Sequence, residues 1–406
     1  MKFKYIFLIL ILLLCMLLLS GCYDARGIET LAYAVALGID KSNDNTIRLT
    51  LQFAVPSASD SSSSSSQSSS STIIDVDCSS IDSGISLINS YISKKVNLSH
   101  CKAIIISETL AYEGVSDYIY TLVNSVEVRP DCYVIISRCD AYYFLSNSTP
   151  TLESVPARYY ELILNSNEYT GFTESINLAD FYKSILSSTS QPVAILGGVN
   201  TEKTHLTAAE ADTLDGSYKA DQTPIQTTNS IENMGLAVFV GDKLVGELNN
   251  IETMCHMIIS SELKNATLTI HNPYDYNSNI SVYIHLDKNT KNKVKLVNGY
   301  PYITCNVSVG GYVLSLEDTL DLSNQETIDT LNETVSMYLE KYINSYLYKT
   351  AKDFKSDIDD FGKYLLSSYL TLDEWNSADW LNNYQNAFFD VNVETNLVSG
   401  YLFSRF

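Results

Sequence analysis

The sequence has few of the residue types that carry enzyme or metal chemistry. Only five histidines and two tryptophans occur in 406 residues, and no two cysteines follow the C-x-x-C spacing. The motifs G-x-S-x-G and H-E-x-x-H and the phosphate-binding P-loop are absent. Cys255 and His256 are adjacent, but neighbouring helical side chains point about 100° apart and make no ready dyad. The sequence therefore predicts no catalytic residue, no metal ligand and no cofactor.

Positive charge is also scarce. The chain has 26 Lys and Arg against 47 Asp and Glu, a formal net charge of −21. Such acidity argues against a nucleic acid or an anionic lipid surface as the partner. The acidic cluster "SDIDD" at 356–360 lacks the spaced pattern of a calcium loop, and it is read as a solvated helix face.

Long apolar runs are confined to the first residues. Lys2 and Lys4 precede about fifteen apolar residues, fewer than the roughly twenty of a membrane span. The run ends in Leu-Ser-Gly-Cys, the lipobox pattern, which predicts cleavage between Gly21 and Cys22. Cys22 would then carry a diacylglyceryl group and an acyl chain such as palmitate. An ordinary signal peptide with a chance cysteine, or a short signal anchor, remains the alternative.

The mature chain of 385 residues is long enough for two or three domains. Six cysteines remain besides Cys22 and the signal cysteine, and their apolar surroundings favour buried thiols over disulfides. We expect an N-terminal α/β region at 22–199, interrupted by a serine-rich loop at 57–71. A linker at 200–230, a C-terminal α+β domain at 231–398 and a tail at 399–406 would follow.

Hydrophobic periodicity defines the elements within these regions. Two strands at 31–39 and 46–55 make a hairpin, and strands at 102–108 and 133–137 flank a helix as in a parallel crossover. The second half starts with a hairpin at 236–248. Strands at 266–270, 280–286, 293–297 and 302–309 look like an antiparallel meander. A long helix, opened by a capping box at 323–326, and a strand at 387–398 follow. The fold class is α+β, multidomain, with mixed β-sheets packed against helices.

Several stretches together resemble the Ger(x)C family, the lipoprotein C subunits of spore nutrient germinant receptors. Directly after the lipobox come Tyr23, Asp24 and Arg26, and then Gly-Ile-Asp ending at Asp40. Three later stretches are also similar to segments of this family: "SHCKAIIISETLAYEG", "GLAVFVGDKLVGELNNIET" and "FKSDIDDFGKYL". The chain departs from the family pattern at three positions: Tyr23 stands in place of the usual Trp, Gly27 in place of an acidic residue, and Asp360 in place of a Phe. It therefore resembles a distant or specialised member.

The resemblance implies a non-enzymatic lipoprotein of a sporulating Firmicute. It would lie on the outer face of the cell membrane, the inner membrane of the spore, with integral-membrane A and B subunits as partners. The alternative is a solute-binding lipoprotein of a transporter, which needs two lobes around a cleft.

The family-motif residues are the candidates for docking. Asp24 and Arg26 would dock on a membrane partner or set how the chain leaves the bilayer. A structural role is favoured for the hairpin residues, and Glu252 suits the positive end of a helix. The full candidate set is Cys22 for lipidation, with Tyr23, Asp24, Arg26, Asp40, Asp242, Lys243, Gly246, Glu252 and Thr253.

Overall fold

The computed structural model describes residues 2–18, 27–43, 45–55, 71–150, 152–153, 155–200, 216–225, 230–315 and 322–398. The strands of this part are β1 Leu31–Lys41, β2 Ile47–Ala54, β3 Ser71–Cys78, β4 Lys95–Asn97, β5 Ala103–Ser107, β6 Tyr133–Ser137, β7 Val193–Val199, β8 Ile231–Val240, β9 Lys243–Leu248, β10 Ala266–Asn272, β11 Asp275–Val297, β12 Tyr300–Ser315 and β13 Phe388–Val398.

The helices of the same part are α1 Lys2–Leu18, α2 Ile81–Tyr91, α3 Glu108–Glu113, α4 Ser116–Val123, α5 Ala141–Ser146, α6 Pro156–Ile163, α7 Leu178–Ile185, α8 Asn250–Ser260, α9 Gln325–Tyr348, α10 Gly362–Leu366, α11 Leu372–Ala378 and α12 Trp380–Asn383. A π-helical segment, Lys349–Phe354, continues α9. Within the described stretches, no helix is both long and apolar enough to cross a membrane.

The first sheet has the order β3-β2-β1-β5-β6-β7-β8-β9, with β4 paired to β1. Strands β1, β5, β6 and β7 run parallel, and the outer strands are antiparallel to their neighbours. The central strands are almost wholly buried because helices cover the sheet, as in other parallel sheets. The predicted hairpin of β1 and β2 and the predicted parallel pair of β5 and β6 are confirmed.

Strand β3 was not predicted. It follows the serine-rich stretch, and only its last residue, Cys78, is buried. Its sequence therefore gives little indication of a buried strand. It pairs with β2 along its whole length. Residues 56–70, nearly all of the predicted loop at 57–71, lie outside the described residues, as does the tail at 399–406.

The predicted boundary at residue 231 falls inside this sheet. Strands β8 and β9, assigned from the sequence to the second domain, hydrogen-bond to β7 and to each other. Part of the predicted linker, 216–225, packs back on the sheet, with Ala220 N–H donating to Met234 O. Residues 201–215 and 226–229 lie outside the described residues. The segment 200–230 therefore starts and ends on adjacent strands instead of joining two separate bodies.

Residues 216–225 are held on the first sheet by polar contacts, so their sequence alone gives no sign that they pack there. The Arg138 guanidinium, which follows β6, donates through Nε to Glu247 at 3.1 Å and through Nη1 to Ala220 O at 3.0 Å. It also pairs with Asp221. Lys219 Nζ lies 3.0 Å from the second oxygen of Glu247. A polar segment is thus held by partners that are distant in sequence.

The second sheet has the order β10-β11-β12-β13. The first three strands form the predicted antiparallel meander, and β13 adds parallel to β12. The two strands predicted at 280–286 and 293–297 are one strand, β11, with register shifts in between. The intervening polar residues resemble a turn, but Thr290 Oγ1 and Asn292 Nδ2 donate to Ile258 O and Ile259 O at the end of α8.

The long helix α9 covers one face and the open edge of this sheet. Its buried stripe contains Leu331, Val335, Leu339 and Ile343, at helical spacing. On the edge strand β13, the backbone N–H of Val393 donates to Glu340 at 3.0 Å and that of Leu397 to Asn332 at 2.8 Å. These bonds occupy edge groups that would otherwise be free to pair with another chain.

Asp40 provides a first prediction. At the end of β1 its carboxylate accepts the backbone N–H groups of Ala141 at 2.6 Å and Tyr142 at 3.0 Å, at the start of α5. Burial raises the pKa of Asp40, while the two backbone donors oppose that effect. Asp40→Ala leaves these donors unpaired and should cost about 1–2 kcal/mol in urea unfolding. Asp40→Asn, which keeps an acceptor, should cost less, and an Asp40→Ala variant of unchanged stability would contradict this role.

Candidate functional site: the junction of the two sheets

Motif residues at the start of α8 hold the end of α9. Asn249 and Glu252 form a capping box, with Glu252 Oε2 accepting the Asn249 N–H at 2.9 Å. Lys349 Nζ lies 2.8 Å from both carboxylate oxygens of Glu252 and donates to Glu247 O at 3.2 Å. Thr253, the next motif residue, is fully buried. Glu252 therefore joins the first sheet to the helix of the second.

Gly246 on β9 allows a close approach in the same region. A Cβ at this position would lie 2.2 Å from Cε1 of Phe354, at the end of the π-helical segment. The Phe354 ring also lies 5.2 Å from Lys349 Nζ, a cation–π distance. The absence of a side chain at Gly246 thus lets the Phe354 ring pack directly against β9.

The hairpin turn between β8 and β9 contacts a different element. Gly241, the first turn residue, has φ of 61°, as the predicted glycine-first turn requires. Asp242 accepts the Val115 N–H on its backbone oxygen at 3.0 Å and the Ser116 N–H on Oδ2 at 3.3 Å. Asp242 therefore positions the start of α4, whereas Lys243 is exposed.

His256 lies at the centre of a buried charged cluster. Its Nδ1 is 2.8 Å from Asp359 Oδ1 and 3.0 Å from Tyr346 Oη, and its Nε2 is 3.0 Å from Glu174 Oε2. The Tyr346 hydroxyl also donates to Asp359, at 2.8 and 2.9 Å to its two oxygens. The cluster joins the segment before α7, helices α8 and α9, and the turn at 356–361.

The cluster favours a charged imidazole. Burial alone would lower the pKa of His256, but the charge of Glu174 and the hydrogen bond of Asp359 outweigh it and raise the pKa to about 10. The imidazolium therefore faces two carboxylates in the interior at neutral pH. Because His256, Tyr346 and Asp359 are buried and only 16% of the Glu174 side chain is exposed, this arrangement suits a structural ion cluster better than acid–base chemistry on a substrate.

The reading of "SDIDD" as a solvated helix face is wrong. Ser356, Asp357 and Asp359 are buried, and the segment is a turn after the π-helical segment. Asp357 accepts the N–H groups of Phe361 at 3.1 Å and Gly362 at 3.0 Å and the Trp380 indole N–H at 2.7 Å. Burial raises the pKa of Asp357 to about 8 against these three donors. Trp380, which binds Asp357, and His256, which binds Asp359, come from other segments, so the sequence of the cluster alone could not identify them.

A small cavity lies beside this turn. It measures about 270 Å³ and is lined by the β11–β12 turn and by the segment that carries both tryptophans of the chain, with Leu296, Gly299, Leu365, Tyr369, Trp375 and Trp380 among its residues. Trp375 Nε1 donates to Ser188 Oγ at 3.0 Å, so the indole N–H is already used. Nowhere in the described ranges is a group of three or more His, Cys, Asp or Glu placed to hold a metal ion.

The remaining predicted site residues are at the N-terminus. Gly21, Cys22, Tyr23, Asp24 and Arg26 lie outside the described residues. Gly27 caps a single 3₁₀ turn, Ile28–Thr30, which leads directly into β1.

The pH dependence of stability provides a second prediction. His256 has a pKa of about 10 in the fold and about 6.5 when unfolded, so the folded state binds its proton more tightly. The stabilisation is fully present below pH 6.5 and is lost as the pH rises through 10, by at most about 1.4 kcal/mol per pH unit. Urea unfolding between pH 6.5 and 10 should show this fall.

The matched variants for this prediction are His256→Gln and His285→Gln. His285 lies on β11 with its side chain 42% exposed. The His256 variant should have a flatter pH profile than the parent protein, whereas the His285 variant should keep the parent slope. Equal slopes in all three proteins would contradict a charged His256.

The fold and the site define a two-sheet α+β protein whose motif residues hold its sheets together. Residues 24–198 match the family model described as "Spore germination protein N-terminal domain", and residues 234–400 match "Spore germination B3/ GerAC like, C-terminal". The chain therefore belongs to this GerAC-like family of spore germination proteins, and the predicted family is confirmed.

Individual relatives agree with this assignment. Spore germination protein KC of Bacillus subtilis strain 168 is 25% identical, over 95% of this chain and 93% of that protein. Spore germination protein A3 of the same organism is 46% identical over 12% of this chain and 13% of its own length. The crystal structure of the GerBC protein matches with a TM-score of 0.50 at 16% identity, covering 94% of this chain and 99% of that one. This likeness confirms the predicted α+β, multidomain fold.

Proposed function

We propose that this protein is a non-enzymatic, lipid-anchored subunit of a spore germinant receptor complex, needed for nutrient-triggered germination. The observation that carries the proposal is the similarity to spore germination protein KC along nearly the whole chain. The lipobox at Cys22 adds the means of attachment, since a multiply acylated cysteine gives a firm anchor. The protein would lie on the outer face of the cell membrane, the inner membrane of the spore, with integral-membrane A and B subunits.

The geometry divides the candidate docking residues into two groups. Asp40, Asp242, Gly246, Glu252 and Thr253 pack against other parts of the chain, so we assign them a positioning role. Lys243 is exposed, and Tyr23, Asp24 and Arg26 directly follow the anchor in sequence. These four are therefore the residues that we propose for contact with the membrane subunits.

The alternative of a solute-binding lipoprotein requires two lobes that open around a cleft. Here the two halves are joined by the buried charges of His256 and Asp359 and the partly buried Glu174, which argues against such an opening.

Loss of the lipid anchor provides a third prediction. Spores that carry Cys22→Ala should respond poorly to at least one nutrient, because the protein can no longer be acylated. The control is Cys15→Ala, a change of the same residue type inside the signal segment, which should leave germination normal. The fall in optical density of spore suspensions after addition of each nutrient gives the readout. A normal response of Cys22→Ala spores to every nutrient, in a strain without paralogues, would contradict the proposal.

A further inference from the structure

The most exposed apolar side chains of the protein are concentrated on one side. Outside α1, seven large apolar side chains of the described part are at least two-thirds exposed, and they are Ile28, Tyr91, Val126, Leu152, Leu186, Leu370 and Leu372. Single exposed apolar residues need no explanation, but their common location does.

Four of the seven lie on segments that lead into parallel strands of the first sheet. Ile28 precedes β1, Tyr91 precedes β4, Val126 precedes β6 and Leu186 precedes β7. Parallel strands begin at the same edge of their sheet. Here β1 is parallel to both β4 and β5, β5 is parallel to β6, and β6 is parallel to β7. We call this edge, where these strands begin, the start edge.

Contacts of the second half bring two more of the residues to the start edge. Leu370 and Leu372 flank the N-terminus of α11, and Trp375 of that helix donates to Ser188, just before β7. The Gln191 N–H likewise donates to Asp357 O at 2.7 Å. Six of the seven exposed residues therefore belong to the start edge, and Leu152, in the loop between α5 and α6, is the exception.

The start edge is also the edge nearest to the proposed anchor. Cys22 precedes Ile28 by six residues, a span of about 20 Å at full extension. Charges on this edge are partly neutralised by ion pairs, Lys95 with Glu127 and Arg129 with Asp131. Glu29, Asp373 and Glu374 keep exposed negative charge on this edge, so its attraction to a bilayer would come from the apolar side chains beside the acyl anchor.

We propose that the start edge rests on the surface of the bilayer that holds the anchor, with Ile28, Tyr91, Val126, Leu186, Leu370 and Leu372 seated among the lipid headgroups and upper acyl chains. The inference rests on the proposed lipid anchor at Cys22. It gives the protein one fixed orientation, in which the opposite edge of the first sheet faces away from the membrane.

The test uses the full, lipidated chain in phosphatidylcholine vesicles with or without brominated acyl chains, which quench tryptophan at short range. Val126→Trp reports on the start edge, and Tyr91→Trp is a second reporter. The matched control is Ile225→Trp. Ile225 is exposed and lies near Thr223, whose backbone oxygen accepts a hydrogen bond from Asn200 at the opposite edge of the sheet. After subtraction of the parent emission, both reporters should lose emission in brominated vesicles, whereas the control should not.

Flotation of the vesicles separates the two possible failures. If the variants do not float with the vesicles, the lipid anchor is wrong and the inference falls with it. If they float but Val126→Trp and Tyr91→Trp keep their emission, the anchor stands and the inference alone is overturned. A start edge that is reserved for a membrane-protein partner would give this second result.

Discussion

Replacement of Asp359 by Ala should destabilise the protein by about 3–5 kcal/mol. The change leaves the His256 imidazolium buried against Glu174 alone and removes both acceptors of the Tyr346 hydroxyl. A buried charge that loses its partner keeps the full cost of its desolvation, which is why the loss exceeds that of an ordinary polar contact. Urea unfolding followed by circular dichroism at pH 7 measures the effect.

The matched control for this variant is Asp353→Ala. Asp353 is an exposed acidic residue six positions earlier, so its replacement should change stability by no more than about 0.5 kcal/mol. A double-mutant cycle of Asp359→Ala with His256→Gln should show strong coupling. Asp359→Ala leaves the His256 imidazolium without its partner, and His256→Gln removes that charge. Equal stability of Asp359→Ala and Asp353→Ala would contradict the buried cluster.

Replacement of Gly246 by Ala should destabilise the junction by about 1–3 kcal/mol. The new Cβ would overlap the Phe354 ring, with atoms at 2.2, 2.8 and 2.8 Å. Either the ring leaves β9 or the π-helical segment shifts, and both changes disturb the adjoining pair of Lys349 and Glu252. Thermal unfolding of the purified variant provides the measurement.

Two further variants show whether Phe354 is the cause. Phe354→Leu in the Gly246→Ala background should restore part of the lost stability, because the smaller side chain makes room for the methyl group. Val245→Ala, at an exposed neighbour of Gly246, should have little effect on stability. If Phe354→Leu gives no rescue, another contact must explain the need for glycine.

Local pattern predicted the elements whose signal lies in their own residues. Alternation in "TIRLTLQFAV" identified β2, and the spacing from Ile328 to Leu347 identified α9. The Gly-Asp dipeptide at 241–242 identified the turn of the second hairpin. In each case the type of element follows from residues close in sequence, which is the information that periodicity contains. Alternation did not predict that Thr50 and Gln52, on the polar face of β2, are buried as well.

Apart from β3, whose own residues give little signal, the failures depend on partners that are distant in sequence. Thr290 and Asn292 look like turn residues until the end of α8 is seen to accept their hydrogen bonds. Asp357 and Asp359 look solvated until Trp380 and His256 are placed beside them. The membership of β8 and β9 in the first sheet likewise depends on pairing with β7, which no local pattern records.

The measurement that tests the central claim most directly is the composition of the membrane complex around this protein. A tagged chain would be solubilised from the inner membrane of dormant spores in mild detergent, purified and examined by mass spectrometry. We expect two multi-spanning membrane proteins to co-purify in fixed proportion, and to be lost when Cys22 is replaced by Ala. Recovery of the acylated chain alone, or with a transporter in place of those two proteins, would contradict its role as a receptor subunit.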